Sequence, residues 1–294
     1  MLGVGWKGDS VMNYLNGSNR MLGLLRAMTV LFALCCWGGA VMAAEQADEF
    51  QGRTLYPTVK WLELDQLVKM RPNVIIVDAR SNYEFDTLHI KDAVNIPLSD
   101  KGFVDAVKKL RAESPHPIVF YCNGRTCMKS YQAALKAQDA GVANVYAYDA
   151  GIFDWAKAYP ADSVLLGKSP IDPALLISSA QLKAHVLTPA DFEKRIGDSA
   201  IVLDVRDRFQ QEATTLFPLV QHSVPLDNAA MKKYVEMAKQ QGKTLLIYDE
   251  AGHQVRWLQY YLEDQKVSSY YFMAGGAKGY FDSMVGALVR DSAK

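Results

Sequence analysis

Cysteine is scarce in this sequence, which narrows its possible chemistry. The 294 residues include four cysteines and five histidines. Cys35 and Cys36 lie in an apolar N-terminal stretch, so the rest of the chain holds Cys122 and Cys127 alone. Two thiols do not make a zinc site, and the one histidine within ten residues of Cys122 is His116, ahead of a predicted strand. We therefore expect no metal, and we expect no cofactor.

An excess of either charge is also lacking. The chain has 32 Lys and Arg residues against 32 Asp and Glu residues. Nucleic-acid binding requires a basic face, so we expect no nucleic-acid partner. Half of the residues are apolar, and neither low-complexity tracts nor heptads are present. This composition suits one large or two medium globular domains.

The N-terminal region lacks a full membrane span but has the pattern of a secretory signal. Arg20 and Arg26 precede an apolar stretch at 27–40, which is shorter than the ~20 residues that cross a bilayer. We predict that residues 1–43 are a signal peptide, with Met21 as an alternative start. The mature protein would then be periplasmic or secreted, with no stable membrane insertion. An uncleaved membrane anchor is the alternative.

Alternating strand and helix patterns predict an α/β fold in the first half. Continuous β-branched runs are typical of strands buried on both faces, and such strands alternate with helical spacing in parallel sheets. The predicted strands are Asn73–Arg80, Pro117–Cys122 and Asn144–Gly151, and the predicted helices are Phe103–Glu113 and Lys129–Gly141.

The second half repeats the first at a shift of about 126 residues. The stretch "IVLDVRD" (Ile201–Asp207) matches "IIVDARS", so Asp204 and Arg206 repeat Asp78 and Arg80. Further on, "LLIYDEAGHQVRWLQYYL" matches "IVFYCNGRTCMKSYQAAL", which places Asp249 opposite Cys122. The ordered matches predict two copies of one fold.

Four ordered segments of the first copy resemble the rhodanese-like family: "VDARSNYEF", "HIKDAVNIPL", "YCNGRTCMKS" and "AGIFDW". The resemblance implies two tandem rhodanese-like domains, each a central parallel sheet flanked by helices. The first would cover residues 54–165 and the second 185–292, with residues 166–184 as the linker.

The same resemblance implies that Cys122 is a nucleophile that carries sulfur as a persulfide. The donor-binding loop would contain Asn123, Gly124, Arg125, Thr126 and Cys127, with Lys129 beside it. Asp249 cannot form a persulfide, so the second copy should be catalytically silent. Similar tandem sulfurtransferases usually carry the active copy second, so this chain inverts their order.

The loop departs from the common family pattern. Common loops place a basic residue and a serine five and six positions after the cysteine, whereas Lys129 and Ser130 stand seven and eight positions after Cys122. Related phosphatases require arginine six positions after the cysteine, where this chain has Met128. We therefore expect sulfur transfer rather than phosphatase chemistry.

The loop residues suit a thiolate. A free cysteine has a pKa of about 8.5, and a helix N-terminus and nearby cations lower it. Gly124 would let the backbone present amides to the sulfur, and Arg125 and Lys129 would attract an anionic donor and stabilise departing sulfite. Arg125 could equally be a solvated loop charge.

Several residues have two interpretations. Asp78 and Arg80 are predicted to support the loop through an ion pair or hydrogen bonds. Glu84 and His89 fit either the pocket rim or the surface. Cys127 is either an inert loop residue or a second thiol that attacks the persulfide or forms a disulfide.

We predict a sulfurtransferase that takes sulfur from thiosulfate or a similar small anion and gives it to a thiol, cyanide or a protein cysteine. One alternative is a thiol–disulfide or redox-sensing protein that uses both cysteines. The other is a non-catalytic module that binds sulfur compounds.

Overall fold

The computed structural model describes residues 50–292 of the chain, with side chains up to residue 286. The predicted signal segment at 1–43 therefore lies outside the described residues. Within the described part, no helix combines the length and apolar character that crossing a membrane requires.

Seven short strands belong to the first half. They are β1 (Trp61–Leu62), β2 (Ile75–Asp78), β3 (Leu88–Ile90), β4 (Val94–Asn95), β5 (Ile118–Tyr121), β6 (Val145–Tyr148) and β7 (Ser163–Leu165). Five of them form a parallel sheet in the order β1-β6-β5-β2-β4, and β3 pairs with β7 in a separate antiparallel ribbon. The central strand is thus β5, whose four residues are all buried.

Among the described residues of the first half, six helices accompany this sheet. They are α1 (Gln51–Leu55), α2 (Leu64–Met70), α3 (Asn82–Thr87), α4 (Phe103–Glu113), α5 (Lys129–Asp139) and α6 (Gly151–Ala158). Phe103 and Val107 of α4 stand four residues apart and are both fully buried, which is the spacing of one helical face. The predicted helix at 103–113 is confirmed, and the three predicted strands agree with β2, β5 and β6 to within two or three residues at each end.

The second half contains the same arrangement. Its strands are β8 (Val186–Leu187), β9 (Ala200–Asp204), β10 (Gln221–Ser223), β11 (Thr244–Tyr248) and β12 (Tyr270–Met273). Its helices are α7 (Ser179–Ala184), α8 (Pro189–Lys194), α9 (Arg208–Ala213), α10 (Asn228–Gln241), α11 (Val255–Asp264) and α12 (Gly276–Ser292). The sheet is parallel throughout, in the order β10-β9-β11-β12-β8, with β11 at its centre. The predicted α/β class, with two parallel sheets flanked by helices, is confirmed.

One aromatic cluster joins the two halves. Trp257 of α11 is 1% exposed, and its ring stacks on Phe153 of α6 at 5.4 Å between centroids. The same indole lies 4.9 Å from the guanidinium of Arg80. Tyr83 of α3 donates a hydrogen bond of 2.7 Å to the Asn228 side chain of α10. The helix that follows the central strand of the second half therefore packs against the first half.

We expect Trp257→Ala to lower the free energy of unfolding by about 3–5 kcal/mol, because it removes a buried indole from this cluster. Urea denaturation would measure the loss. The control is Phe281→Ala, since Phe281 is 42% exposed and should cost on the order of 0.5 kcal/mol. Equal losses from the two substitutions would contradict the assignment of the interface to Trp257.

Candidate active site

Cys122 directly follows β5, at the edge where the parallel strands end. Asp78 ends the neighbouring strand β2 and is paired in register with Tyr121, so the two chain segments meet there. This edge of an open parallel sheet is where ligands usually bind in α/β proteins. The topology thus places the predicted nucleophile at the expected edge.

Cys122 forms a disulfide with Cys127, across a Cα–Cα distance of 6.4 Å. Cys122 is fully buried, whereas Cys127 is only partly buried. The sulfur of Cys122 lies 3.2 Å from the carbonyl oxygen of Cys127 and 3.8 Å from the hydroxyl of Ser130 in the first turn of α5. The amide of Cys127 donates instead to the carbonyl of Gly124, at 2.8 Å. In this oxidised form, Cys127 directs its backbone carbonyl towards the sulfur of Cys122, whereas its backbone N–H is turned to Gly124.

The first residues of α6 hold the loop from the other side. The amide of Ile152 donates to the carbonyl of Cys122 at 3.0 Å. Gly151 has a φ of +70°, and a Cβ there would lie 2.6 Å from the carbonyl carbon of Asn123 and from the Cα of Gly124. Glycine is required at position 151 for both reasons, since a side chain would collide with the loop backbone.

Asp78 and Arg80 form a fully buried ion pair that supports the loop. The Arg80 guanidinium donates to Asp78 at 2.6 Å, to the carbonyl of Leu88 at 2.6 Å and to the side-chain oxygen of Asn123 at 3.2 Å. Burial alone would lower the pKa of Arg80, but Asp78 outweighs it and holds the pKa above its usual value. Arg80 therefore stays charged and fixes Asn123 beside Cys122.

Glu84 lies inside the site rather than on the surface. Its side chain is 2% exposed, completes a capping box with Ser81 at the start of α3 and accepts a hydrogen bond from the Asn123 amide at 3.1 Å. Burial would raise the pKa of Glu84, but Arg80 and Lys129 outweigh it, so the pKa lies below its usual value. Glu84 is thus a buried anion next to the loop.

The two predicted donor-binding cations are both paired with carboxylates. Arg125 forms a salt bridge of 2.7 Å with Asp154 of α6. Lys129 lies 3.8 Å from Glu84. Thr126 is exposed, at the tip of the loop. The positive charge expected from Arg125 and Lys129 is therefore balanced locally.

The second half shows what the same loop does around an anion. Asp249 follows the central strand β11 and is 4% exposed. Its carboxylate accepts backbone hydrogen bonds from Gly252, from Gln254 at 2.6 Å and from Val255 at 3.2 Å. The backbone carbonyl of Asp249 accepts a hydrogen bond from the amide of Ala277, just as the carbonyl of Cys122 accepts one from the amide of Ile152. The carboxylate thus caps α11 at the position that corresponds to the sulfur of Cys122.

Sequence reasoning did not assign three residues of this site. Gly151 and Asp154 lie in the quoted "AGIFDW" segment, but a positive φ and a partner for Arg125 are visible only in three dimensions. Ser130 was noticed for its spacing alone, and its hydroxyl proves to face the sulfur. His89, the other rim candidate, makes a 2.7 Å hydrogen bond with the carbonyl of Phe85. No cluster of three potential metal ligands occurs in the described part of the chain.

Comparison with known proteins identifies the first half. Residues 61–158 match the family profile described as Rhodanese-like domain, which includes the Cys122 loop and the turn at Gly151. Residues 61–158 are therefore a rhodanese-like domain. The profile covers about a third of the chain.

Curated proteins with similarity to part of this chain include two of the same name. The tRNA uridine(34) hydroxylase of Hamiltonella defensa is 26% identical over 118 residues, which are 38% of this chain and 32% of that protein. The protein of the same name from Yersinia pestis (strain Pestoides F) is 29% identical over 101 residues, which are 33% and 28% of the two chains. The chain thus spans about a third of the length of these relatives.

Solved structures with similarity include two sulfurtransferases. The thiosulfate sulfurtransferase of Pseudomonas aeruginosa has a TM-score of 0.32 at 19% identity, over 80% of this chain and 47% of that one. A human single-domain sulfurtransferase has a TM-score of 0.29 at 21% identity, over 34% of this chain and 96% of that one.

We expect Gly151→Ala to lower the free energy of unfolding by about 2–4 kcal/mol, because it combines a left-handed φ with a collision against the loop. The matched control is Gly141→Ala. Gly141 also has a positive φ, +83°, but a Cβ there would meet no atom within 4 Å. The control should cost about 1 kcal/mol in urea denaturation. A loss from Gly151→Ala no larger than that of the control would show that the loop does not press against residue 151.

Glu84→Gln tests the buried anion. The pKa of Glu84 is lower in the folded protein than in the unfolded chain, so its charge stabilises the fold at pH values above the unfolded-state pKa. This stabilisation is lost as the pH falls through the folded-state pKa. The stability advantage of the wild type over Glu84→Gln should therefore be largest at neutral pH and shrink below about pH 4.5. Chemical denaturation at pH 7 and pH 4 measures it. The exposed Glu113→Gln should show little pH dependence, and similar profiles for both would refute the assignment.

Proposed function

We propose that the chain, once its disulfide is opened, is a sulfurtransferase that carries sulfur on Cys122. The Cys122 thiolate attacks the outer sulfur of thiosulfate, the sulfur–sulfur bond of the donor breaks, and sulfite leaves with the bonding electron pair. A thiol or cyanide acceptor then attacks the terminal sulfur of the persulfide, and Cys122 leaves as the thiolate. The rhodanese-like domain supports the transfer chemistry, and the choice of donor and acceptor is part of the proposal.

The anion cradle around Asp249 carries this proposal. Three backbone amides converge on its carboxylate, and the corresponding amides of the first loop belong to Arg125, Cys127 and Met128. The reduced first loop could present them to Cys122 in the same way, because Lys129 and Arg256 each stand seven positions after Cys122 and Asp249. Amides at a helix start favour a thiolate or persulfide anion and lower the thiol pKa.

Opening the disulfide requires an external reductant. Cys127 is partly exposed and Cys122 is buried, so an incoming thiolate would attack the sulfur of Cys127. Cys122 would then leave as the thiolate, beside the hydroxyl of Ser130. We propose a small thiol or a dithiol protein as the reductant and partner; a second thiolate of the reductant then attacks the mixed disulfide and releases Cys127 as a thiolate.

The remaining parts of the chain complete the proposal. The second half acts as a catalytically silent partner, because its anion position is occupied by Asp249. Export is supported by the signal-like residues 20–44 and by the disulfide, since disulfides persist in oxidising compartments. The tRNA in the names of the curated relatives is not proposed as a substrate here, because the shared region is a third of those proteins and the charge of this chain is balanced.

A second candidate function follows from the disulfide. Cys122 and Cys127 could cycle between dithiol and disulfide as a thiol–disulfide exchange or redox-sensing pair, with the partly exposed Cys127 as the point of attack. The closed loop supports this candidate directly. It differs from sulfur transfer in requiring both cysteines in every turnover.

We expect the reduced protein to gain one sulfur atom on Cys122 after incubation with thiosulfate, because the amides of the opened loop stabilise the persulfide. Intact-protein and peptide mass spectrometry measure the gain. The oxidised protein and Cys122→Ser should gain none.

Cys127→Ser separates the two candidates. A sulfurtransferase should keep most of its thiosulfate-dependent turnover in this variant and no longer need a reductant for activation. A dithiol redox protein should lose its turnover. Absence of any sulfur adduct on the reduced wild type would leave sulfur transfer without support.

A further inference from the structure

The cations that face the Cys122 loop are all neutralised. Arg80 is paired with Asp78, and Lys129 with Glu84. Arg125 is paired with Asp154. These three pairs leave the first half with no surplus positive charge at the loop, although thiosulfate is a dianion and sulfite leaves as an anion.

Arg256, in the first turn of α11, differs from these cations. No carboxylate forms an ion pair with it among the residues whose side chains are described. The side chain is partly buried, and its Nε is buried without a hydrogen-bond partner. Burial therefore lowers the pKa of Arg256, and the opposing interaction with Tyr260 does not restore it. An unpaired, partly buried guanidinium is unfavourable unless it serves a ligand.

The position of Arg256 connects it to the loop. Its guanidinium lies 4.3 Å from the ring centre of Phe153. The neighbours of Phe153 in α6 hold the loop directly: Ile152 donates to the Cys122 carbonyl, and Asp154 binds Arg125. Arg256 therefore lies against the helix that holds the Cys122 loop, although it belongs to the other half of the chain.

The neighbours of Arg256 in its own chain segment also contact the first half. Trp257 stacks on Phe153 and lies against Arg80. The hydroxyl of Ser81 donates to the Gln254 side chain at 3.3 Å. Three positions around the start of α11 thus contact residues that support Cys122, so Arg256 is held there by a packed interface.

The contact with Phe153 leaves the two terminal amino groups of Arg256 available, whereas its Nε is buried. A guanidinium over an aromatic ring uses its face, whereas its five N–H groups lie in its plane. Such a fork matches two oxygens of a sulfonate-like group.

We propose that Arg256 binds the oxyanion end of the sulfur donor, so that the silent half supplies a specificity-determining cation to the active half. The proposal rests on sulfur transfer at Cys122. A cation at this position favours a negatively charged donor with a sulfonate-like end over an uncharged donor. The second half would then take a direct part in the choice of donor. Departing sulfite would be stabilised by the same guanidinium.

The first test is thiosulfate titration of the reduced protein, with the initial rate of Cys122 persulfide formation read by mass spectrometry. Arg256→Gln should need on the order of tenfold more thiosulfate for the half-maximal rate, because one nearby cation is lost. Arg256→Lys should recover part of the affinity, because it keeps the charge but not the fork. Arg208→Gln is the matched control, since Arg208 is an exposed arginine of the same half paired with Glu212.

A second measurement isolates charge. In a Cys127→Ser background, the rates of Cys122 alkylation by anionic iodoacetate and neutral iodoacetamide are compared before and after Arg256→Gln. The ratio of anionic to neutral rate should fall several-fold. A purely structural role at the interface would change both rates together, and thermal unfolding of each variant would show it.

The outcomes separate the two proposals. If the reduced wild type takes up no sulfur from thiosulfate, the proposed function fails. If the wild type takes up sulfur and Arg256→Gln has the same thiosulfate dependence and alkylation ratio, the role of Arg256 is refuted while sulfur transfer stands.

Discussion

The side chain that follows the central strand lies against the start of the next helix in both halves, and this placement governs the site. In the second half the position holds the Asp249 carboxylate, which accepts amides from the loop and the first helical turn. In the first half it holds the sulfur of Cys122, under the hydroxyl of Ser130. A helix start without a side-chain cap, as at Met128, favours an anion there. A cysteine at this position is therefore placed to become a thiolate.

Much of the fold could be predicted because its signals are local. The buried runs around Ile75–Asp78 and Ile118–Tyr121 carry the pattern of parallel strands, and Phe103–Glu113 carries helical spacing. The repeat of Asp78 and Arg80 in the second half also revealed the second sheet. The order of strands within each sheet depends on long-range pairing, which no local pattern encodes.

The site was harder to predict than the fold because its energetics depend on partners distant in sequence. Arg125 is a solvated or a substrate-binding charge by sequence alone, and the decisive contact is with Asp154, 29 residues away. Glu84 fits either the pocket rim or the surface by sequence alone, but Asn123, Arg80 and Lys129 surround it. The role of Gly151 follows from its φ and from the backbone of Asn123, neither of which is visible in a residue pattern.

The closed loop and the charge balance together define how the site would be activated. In the oxidised form the amide of Cys127 donates to the carbonyl of Gly124. This amide corresponds to that of Gln254, which donates to Asp249, so in the oxidised form it does not serve Cys122. In the proposed mechanism, reduction would free the Cys127 amide to turn, and it would replace a neutral disulfide sulfur by a thiolate that attracts the amides. The charges within each surrounding ion pair balance, so the thiolate would interact with the dipoles of the backbone amides rather than with a net positive charge. Thiolate stabilisation would then come from the loop backbone, while attraction of an anionic donor requires a cation from outside the loop.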